Sequence, residues 1–262
     1  MTVSMTTVRT PRSVRLTLAA AATLVMGACG TKDAPGPLEP TSGQGRIRFV
    51  NLITDPSRNP VNAILENVPF GVNLGYTAAT PASLPSPSTA NFAPIYEGPR
   101  TLVLKKTADT SVVVATLPIT VTAATDYTLY ATGGTGGATV TSVIVGETNP
   151  AIATGQAKLK VMNMSPTAGA VDVFITPVNA DLTTATPVAE NLGTSVIFAG
   201  ALFAPGTYSV RTVPAGTLAA DRPAAVNSTL SVTVAAGNGR TIVIADAATG
   251  GTPLRSFALT DQ

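Results

Sequence analysis

The sequence predicts an all-β protein: two tandem antiparallel, immunoglobulin-like β-sandwich domains that follow a signal peptide and a flexible tether. Three observations support this prediction. Polar and apolar residues alternate in several short segments, which is the pattern of strands with one face on a core and the other in water. These segments are rich in Val, Ile and Thr and are separated by Gly, Pro and Asn turns. The whole pattern then occurs twice.

The first element is an N-terminal signal. Three basic residues, Arg9, Arg12 and Arg15, precede an apolar segment, Leu16–Ala28, in which only two threonines interrupt the run. A basic region followed by 7–15 apolar residues is typical of a secretory signal peptide. The segment is shorter than the roughly 20 apolar residues that a membrane-spanning helix needs. Residues 1–28 are therefore expected to be removed.

The only cysteine of the chain lies directly after this segment. The sequence Met26-Gly27-Ala28-Cys29 resembles the lipobox of bacterial lipoproteins, although Met stands where Leu is more common. The resemblance implies that Cys29 carries an S-diacylglycerol and an N-acyl chain and that the membrane is a partner through this anchor. Two or three acyl chains hold a protein far more firmly than one. Gly30 follows instead of Asp, which favours the outer membrane if the cell is Gram-negative.

Residues 29–45 are predicted to be a tether, because they are rich in Pro, Gly, Thr and Ser. Removal of residues 1–28 takes away three of the 16 basic residues and none of the 14 acidic residues, so the net charge changes from +2 to −1. Such a weak charge without a basic cluster does not support nucleic-acid binding.

An internal repeat defines the remainder. The segment Gly43–Asn51 matches Gly155–Asn163 position for position, and Ile119–Ala131 matches Val232–Ile244. The two offsets differ by a single residue, which indicates duplicated domains of ordinary size, predicted at residues 46–149 and 150–262. Short strands without helices indicate antiparallel sandwiches.

The strands and loops of the two domains are expected to correspond. Arg46-Ile47-Arg48-Phe49 and Lys158-Leu159-Lys160-Val161 alternate, so their basic side chains are expected to face water. The Pro-rich segment Thr77–Asn91 interrupts the first domain, and Thr176–Asn191 is expected to occupy the equivalent place in the second. These segments are interpreted either as binding loops or as mobile insertions without a ligand.

The second domain resembles a bacterial β-domain family, domain-of-unknown-function family 4397. The resemblance rests on Lys158–Pro166 with its Ser-Pro turn, on Val171-Asp172-Val173-Phe174, and on the motif Ala204–Arg211. In the first domain Asn62 replaces Asp172. The resemblance implies secreted or cell-surface sandwich modules, often tandem and often lipid-anchored, and supplies no activity.

Several chemistries are excluded by the composition. The chain has no His, so a Ser-His-Asp triad and a His-based zinc site are ruled out, and the single Cys is committed to the lipid. Asp172, Asp181 and Glu190 are the candidates for carboxylate catalysis, but their spacing does not predict that they converge. No Asp-x-Asp-x-Asp cluster predicts calcium. The Gly-rich segment Thr132–Val140 lacks a phosphate-loop ending and is expected to be a hairpin loop.

These observations predict a non-catalytic, lipid-anchored cell-envelope protein with binding, adhesion or structural roles and without a cofactor or metal. The alternative is a carbohydrate- or cell-wall-binding module, with tyrosines as candidates for stacking on sugars. They are Tyr76, Tyr96, Tyr127, Tyr130 and Tyr208. The expected partners are the membrane and either an envelope protein or a glycan.

Overall fold

The computed structural model describes residues 43–81, 92–133 and 139–262. The first repeat contains nine strands in these ranges. They are β1 (Gln44–Ile53), β2 (Val61–Leu65), β3 (Val68–Leu74), β4 (Ala79–Thr80), β5 (Ala93–Tyr96), β6 (Gly98–Lys106), β7 (Val113–Val121), β8 (Asp126–Gly133) and β9 (Val140–Glu147).

The second repeat follows the same order. It contains β10 (Ala157–Asn163), β11 (Val171–Pro177), β12 (Ala189–Leu192), β13 (Val196–Phe203), β14 (Gly206–Pro214), β15 (Ser228–Val234), β16 (Gly239–Ala245) and β17 (Arg255–Thr260). A 3₁₀ turn, Ala219–Asp221, leads into a four-residue helix, α1 (Arg222–Ala225), between β14 and β15. The all-β prediction is confirmed. Within the described ranges, no helix combines the length and the apolar character needed to cross a membrane.

Each repeat is built from two sheets. Inner sheet 1 has the order β4-β1-β8-β9, with β5 also paired to β1, and inner sheet 2 has the order β13-β10-β16-β17. Outer sheet 1 has the order β3-β2-β6-β7, and outer sheet 2 has the order β12-β11-β14-β15. Except for the split of one edge strand into β4 and β5, the two repeats therefore share one topology, as the sequence match predicts.

One pairing in each repeat corrects the prediction of purely antiparallel sheets. Strand β1 runs parallel to β8, and β10 runs parallel to β16. The parallel pair lies in the middle of each inner sheet, and antiparallel strands flank it. Alternation along a strand gives no information on the direction of its neighbour, so the sequence pattern could not distinguish the two cases.

Each repeat has its own core between its inner and outer sheets. In the first repeat the core joins inner-sheet residues such as Phe49 and Leu129 to outer-sheet residues such as Leu104 and Leu117. In the second repeat, Val161 and Ile242 meet Val173 and Val210 in the same way. The architecture is sandwich-like in both repeats.

The prediction that the basic residues of β1 and β10 face water was wrong for Arg46, Arg48 and Lys160, whereas Lys158 is partly exposed. Arg46, Arg48 and Lys160 are only 1–2% exposed. Both sides of β1 and β10 are buried, because the side that points away from the sandwich core packs against the other repeat. Polar side chains on that side are tolerated because they find charged partners there.

The Pro-rich segments also differ from expectation. Thr77–Asn91 contains β4, which pairs with β1 in inner sheet 1, and continues toward β5, which pairs with the same strand. Residues 82–91 fall outside the described ranges. Thr176–Asn191 instead connects β11 to β12 in outer sheet 2, where the first repeat has only the turn Glu66-Asn67. The two segments are therefore not equivalent. Pro and Thr content marks a loop but not the strands that it connects.

The predicted domain limits, residues 46–149 and 150–262, stay predictions. The strand bounds can be compared with them. Strand β9 ends at Glu147 and β10 begins at Ala157, on either side of the expected boundary. Strand β1 already begins at Gln44, two residues inside the predicted tether 29–45. The signal sequence and the lipobox, Met26 to Cys29, lie outside the described residues.

Candidate functional site

The two inner sheets pack against each other and form a third apolar core, which we call the junction. Inner sheet 1 contributes Val50, Leu52 and Tyr130, and inner sheet 2 contributes a larger set. That set consists of Met162, Met164, Val243, Ala245 and Leu259. Val50 and Leu52 occupy the positions that match Met162 and Met164 in the repeat, so both repeats use the same face.

A buried cation crosses the junction from the first repeat. The Arg48 guanidinium donates to Thr128 Oγ1 at 2.8 Å, to the Thr260 carbonyl at 2.9 Å and to Asp261 Oδ1 at 2.8 Å. Its carbon atom Cζ lies 4.3 Å from the ring centroid of Phe92, within the range of a cation–π contact. The planar fork of Arg suits this many fixed acceptors.

A second buried cation crosses from the other side. Lys160, at the repeat position that matches Arg48, donates from Nζ to Glu147 Oε2 at 2.8 Å and to Asn149 Oδ1 at 3.1 Å. It also lies 3.1 Å from Asp261 Oδ2. Each repeat therefore supplies a basic residue to an acidic residue on the last strand of the other repeat or directly after it.

These contacts continue into the first repeat. Arg46 binds Asp126 through two parallel hydrogen bonds of 2.6 Å, and both side chains are about 3% exposed. The amide of Asn149 donates to the same carboxylate at 2.6 Å. Asn149 thus joins Asp126 to Lys160. We call Arg46, Arg48, Asp126, Glu147, Asn149, Lys160 and Asp261 the junction network.

Asp261 is the centre of this network. Burial alone would raise the pKa of its carboxyl, but Arg48, Lys160 and a 2.7 Å hydrogen bond from Thr241 outweigh burial and hold the pKa below its ordinary value. The carboxylate is therefore charged at neutral pH. Burial also raises the pKa of the nearby Tyr130 phenol above its ordinary value, so Tyr130 stays neutral.

A cleft of about 290 Å³ opens at one end of the junction. We call it the junction cleft. Its first-repeat wall consists of Leu52, Thr54, Tyr76, Thr132 and Gly133. Its second-repeat wall consists of Met164, Pro166, Thr167, Ala245, Asp246, Thr249, Gly250 and Gly251. The cleft therefore depends on both repeats.

Hydrogen bonds fix the polar part of this cleft. The Tyr76 hydroxyl donates to the backbone carbonyl of Asp246 and so ties the β3–β4 loop to the second repeat. The Asp246 carboxylate accepts from Ser165 Oγ, from Thr167 Oγ1 at 2.7 Å and from the Gly251 amide at 3.2 Å. Burial, and then the charge of Asp246, raise the pKa of Tyr76 to about 12.

A second, shallower cleft contains two of the three candidate carboxylates. Asp172 and Glu190 line it together with Arg222, and Asp181 is not among its lining residues. Asp172 is used by the fold, because its two oxygens accept the Asn191 amide at 2.8 Å and the Gly216 amide at 3.1 Å. Asp181 binds the amide and hydroxyl of Thr183 in its own turn.

The first repeat explains the role of Asp172. There Asn62 accepts the Asn73 amide of β3 at 2.8 Å and the hydroxyl of Thr107, directly after β6, at 2.9 Å, so it joins the corresponding strand and loop. Asn73 and Asn191 both adopt positive φ, 56° and 52°, a conformation that Asn tolerates well. The residue at position 62 or 172 is therefore a loop fastener, and a charge is not required for it.

The tyrosines have different surroundings. Tyr130 is buried in the junction, and Tyr127 and Tyr208 make hydrogen bonds close to their own strands. Tyr96 is 68% exposed on β5. Tyr76 is the tyrosine that lines the junction cleft. In the part of the chain that the structure describes, no group of three or more acidic, Cys or His side chains is arranged to hold a metal ion.

Sequence reasoning did not identify the junction network or the junction cleft. Their residues come from strands and loops far apart in the chain, and no short motif joins them. One signal was present: Arg48 and Lys160 are basic residues at the same position of the two matched strands. A cation retained at a duplicated strand position indicates a buried partner at least as well as solvent.

The fold and the junction define a class: an all-β protein of two packed, sandwich-like repeats. The family model described as "Domain of unknown function (DUF4397)" matches residues 59–174, which confirms the resemblance seen in the sequence. The match begins before β2, covers the rest of the first repeat and ends within β11 of the second.

Two solved structures are similar in outline only. CBMbc, of family CBM26, from Eubacterium rectale Amy13K in complex with maltoheptaose is 12% identical, with 82% of this chain and 96% of that chain covered and a TM-score of 0.24. A family 41 carbohydrate-binding module from streptococcal virulence factors, described for alpha-glucan recognition, is 10% identical, with 80% and 98% covered and a TM-score of 0.24. TM-scores this low do not establish a shared fold. No curated protein matches.

Proposed function

We propose that this protein is a non-catalytic, lipid-anchored cell-envelope protein whose two β-sandwich domains form one rigid binding body. In this proposal each repeat, residues 46–149 and 150–262, is an immunoglobulin-like domain. The anchor is the acylated Cys29, and residues 29–45 carry the body away from the membrane. The outer membrane is the favoured location in a Gram-negative cell, because Gly30 follows the cysteine.

The observation that carries the proposal is the junction network. Its charged side chains are paired, and all except the partly exposed Glu147 are buried, so they hold strands and repeats together and are not placed to meet a substrate. Asp172, one of the three candidate carboxylates from the sequence, holds two backbone amides. Charged groups that are committed to structure in this way favour a scaffold that presents a surface over an enzyme that moves protons.

The lipid anchor is tested in cells that grow on an alkyne-labelled palmitate. The wild-type protein is expected to take up the label and to fractionate with membranes, and Cys29→Ala is expected to lose both properties. Ala28→Ser, which keeps a small residue before the cysteine, is the matched control and is expected to stay labelled. An unlabelled wild-type protein, or one released into the medium with its first 28 residues, contradicts the proposal.

The non-catalytic role is tested with the full chain in detergent. Purified cell wall and glycans are incubated with the protein, and both retention and chemical change are measured. Retention without turnover supports the proposal. Turnover that disappears in a Glu190→Gln variant contradicts it, because Glu190 lines a cleft without contributing to the hydrogen bonds that fasten Asp172.

A further inference from the structure

We propose that the junction cleft binds a neutral mono- or disaccharide. This inference rests on the proposed function, because a non-catalytic envelope protein acts through what it binds. The cleft is close to the size of a small-molecule site: about 290 Å³ lies just below the range of about 300–1,000 Å³ found for ligand pockets. A cleft of this size can hold one or two sugar rings. It is too small to enclose a longer segment of a polysaccharide.

The rim supplies hydrogen-bonding groups of the kind that sugars need. Four threonines line the cleft, two from each repeat: Thr54, Thr132, Thr167 and Thr249. A hydroxyl can both donate and accept. The Thr167 hydroxyl already donates to Asp246 Oδ1 at 2.7 Å, so it meets a sugar hydroxyl as an acceptor. Thr249 is exposed on the loop after β16, at the mouth of the cleft. Asp246 adds a carboxylate oxygen, Oδ2, that receives one protein hydrogen bond, from the Gly251 amide.

The floor supplies the apolar surface that the C–H face of a sugar ring covers. Leu52, Met164 and Ala245 are nearly fully buried members of the junction core and reach the bottom of the cleft. Tyr76 stands beside them, and its hydroxyl is held by the Asp246 carbonyl. This bond fixes the ring before a ligand arrives, which reduces the entropy lost on binding.

The charge of the lining argues against anionic ligands. Asp246 is the charged residue among the described residues that line the cleft, and it is negative. Arg255 acts electrostatically on Tyr76 but does not line the cleft, so a phosphate or an acidic peptide would approach this carboxylate with no Lys or Arg among the described lining residues to offset the repulsion. A neutral polyhydroxyl ligand has no such cost. The cleft also requires both repeats, so binding is expected to depend on the junction.

The test uses the full lipidated chain in detergent micelles and four neutral probes: D-glucose, N-acetyl-D-glucosamine, maltose and cellobiose. Saturation-transfer NMR detects contact, and calorimetric titration gives the Kd. At least one neutral sugar is expected to bind, and glucose 6-phosphate is expected to bind at least tenfold more weakly than glucose. Equal or tighter binding of the phosphate contradicts the proposal, as does the absence of binding by all four sugars.

Variants locate the binding. Thr249→Trp fills the mouth from an exposed position and is expected to weaken binding at least tenfold, and Tyr76→Ala at least fivefold. Thr116→Trp on β7 and Tyr96→Ala on β5 are the matched controls, because both positions are exposed and outside the cleft. Tyr76→Phe keeps the ring but removes the bond to the Asp246 carbonyl that fixes it, so it is expected to weaken binding by less than Tyr76→Ala does. Unchanged binding in Thr249→Trp overturns the proposal even if the palmitate test succeeds, so the two failures are distinguishable.

Discussion

The two repeats agree closely in their interiors and differ on their outer surfaces. Asn51 and Asn163, at the ends of β1 and β10, are fully buried and make the same kind of contacts. The Asn51 amide donates to the neighbouring carbonyls of Leu74 and Gly75 and to Asn59 Oδ1. The Asn163 amide donates to the carbonyls of Gly169 and Leu192, and each side-chain oxygen accepts the backbone amide two residues later. Duplicated residues therefore mark the parts of the fold in which strands and loops must meet.

The outer sheets show the difference. In the second repeat, Phe174 and Val213 are buried under the segment between β11 and β12 and under α1. Arg222 of α1 stacks on Phe174 and donates to the Ala185 carbonyl at 2.9 Å. The first repeat has Ile64 at the position of Phe174, where it is half-buried. An insertion has covered one outer sheet without disturbing the sandwich below it.

The junction shows a different relation: similar positions with reciprocal partners. Arg48 reaches Asp261 of the second repeat, and Lys160 reaches Glu147 of the first. This is the arrangement of a two-fold symmetric dimer, in which one patch meets its own copy, built here into a single chain. The symmetry is imperfect, because Arg48 and Asp261 are 1% exposed whereas the Glu147 side chain is 21% exposed.

The largest effect is expected from Arg48→Met. The substitution removes the cation and leaves the buried Asp261 with Lys160 as its remaining ion-pair partner and with the hydrogen bond from Thr241. Breaking a buried pair on one side costs about 3–5 kcal/mol. Urea unfolding of the full chain in detergent measures the loss in free energy of unfolding. Arg58→Met, which removes a longer and more exposed ion pair with Asp55, is the control and is expected to cost less than about 1 kcal/mol. Similar losses of unfolding free energy in Arg48→Met and Arg58→Met would contradict the claim that Arg48 is the main stabilising cation of the junction.

Lys160→Met is expected to cost less than Arg48→Met, about 2–3 kcal/mol. Asp261 keeps its contacts with Arg48 and Thr241 in this variant. The Glu147 carboxylate is partly exposed, so water can replace its hydrogen bond from Lys160. The same unfolding measurement ranks the two variants. A greater loss of unfolding free energy in Lys160→Met than in Arg48→Met would contradict this ranking and would make Lys160 the more important cation of the junction.

Acid is expected to weaken the junction through Asp261. Because the pKa of its carboxyl is lowered in the folded protein, its contribution is fully present above the unfolded pKa of about 3.9 and is lost as the pH falls through the lower folded value. The free energy of unfolding should be level down to about pH 5 and fall below about pH 4. Asp261→Asn should flatten this acid limb, whereas Asp221→Asn on the 3₁₀ turn should not. An unchanged limb in Asp261→Asn argues against this assignment.

The smallest effect is expected when the loop fastener of one repeat is converted into that of the other. Asp172→Asn keeps an acceptor for the Asn191 amide, and Asn62→Asp keeps one for the Asn73 amide. Each substitution is expected to cost about 1 kcal/mol or less. Asp172→Ala removes both acceptors and should cost clearly more. A loss in Asp172→Asn as large as in Asp172→Ala would show that the charge itself matters.

Much of each sandwich could be predicted from the sequence, because alternation and turn residues are local. Thr120-Val121-Thr122 has the predicted pattern, with Val121 buried and both threonines exposed. Alternation does not distinguish water from a second sheet, so the burial of Arg48 and Lys160 could not be predicted from it. The junction cleft could not be predicted from the sequence either, because Tyr76 and Asp246 meet only through the packing of the two repeats.

The central claim is that the junction makes the two repeats one cooperative body. Native-state hydrogen exchange of the full chain in detergent, measured by mass spectrometry at rising urea, tests it most directly through peptides that cover β1 and β10. The claim predicts one shared free energy of opening for both strands and an equal decrease of both in Arg48→Met. Separate opening energies, or a decrease in Arg48→Met confined to β1, would contradict it.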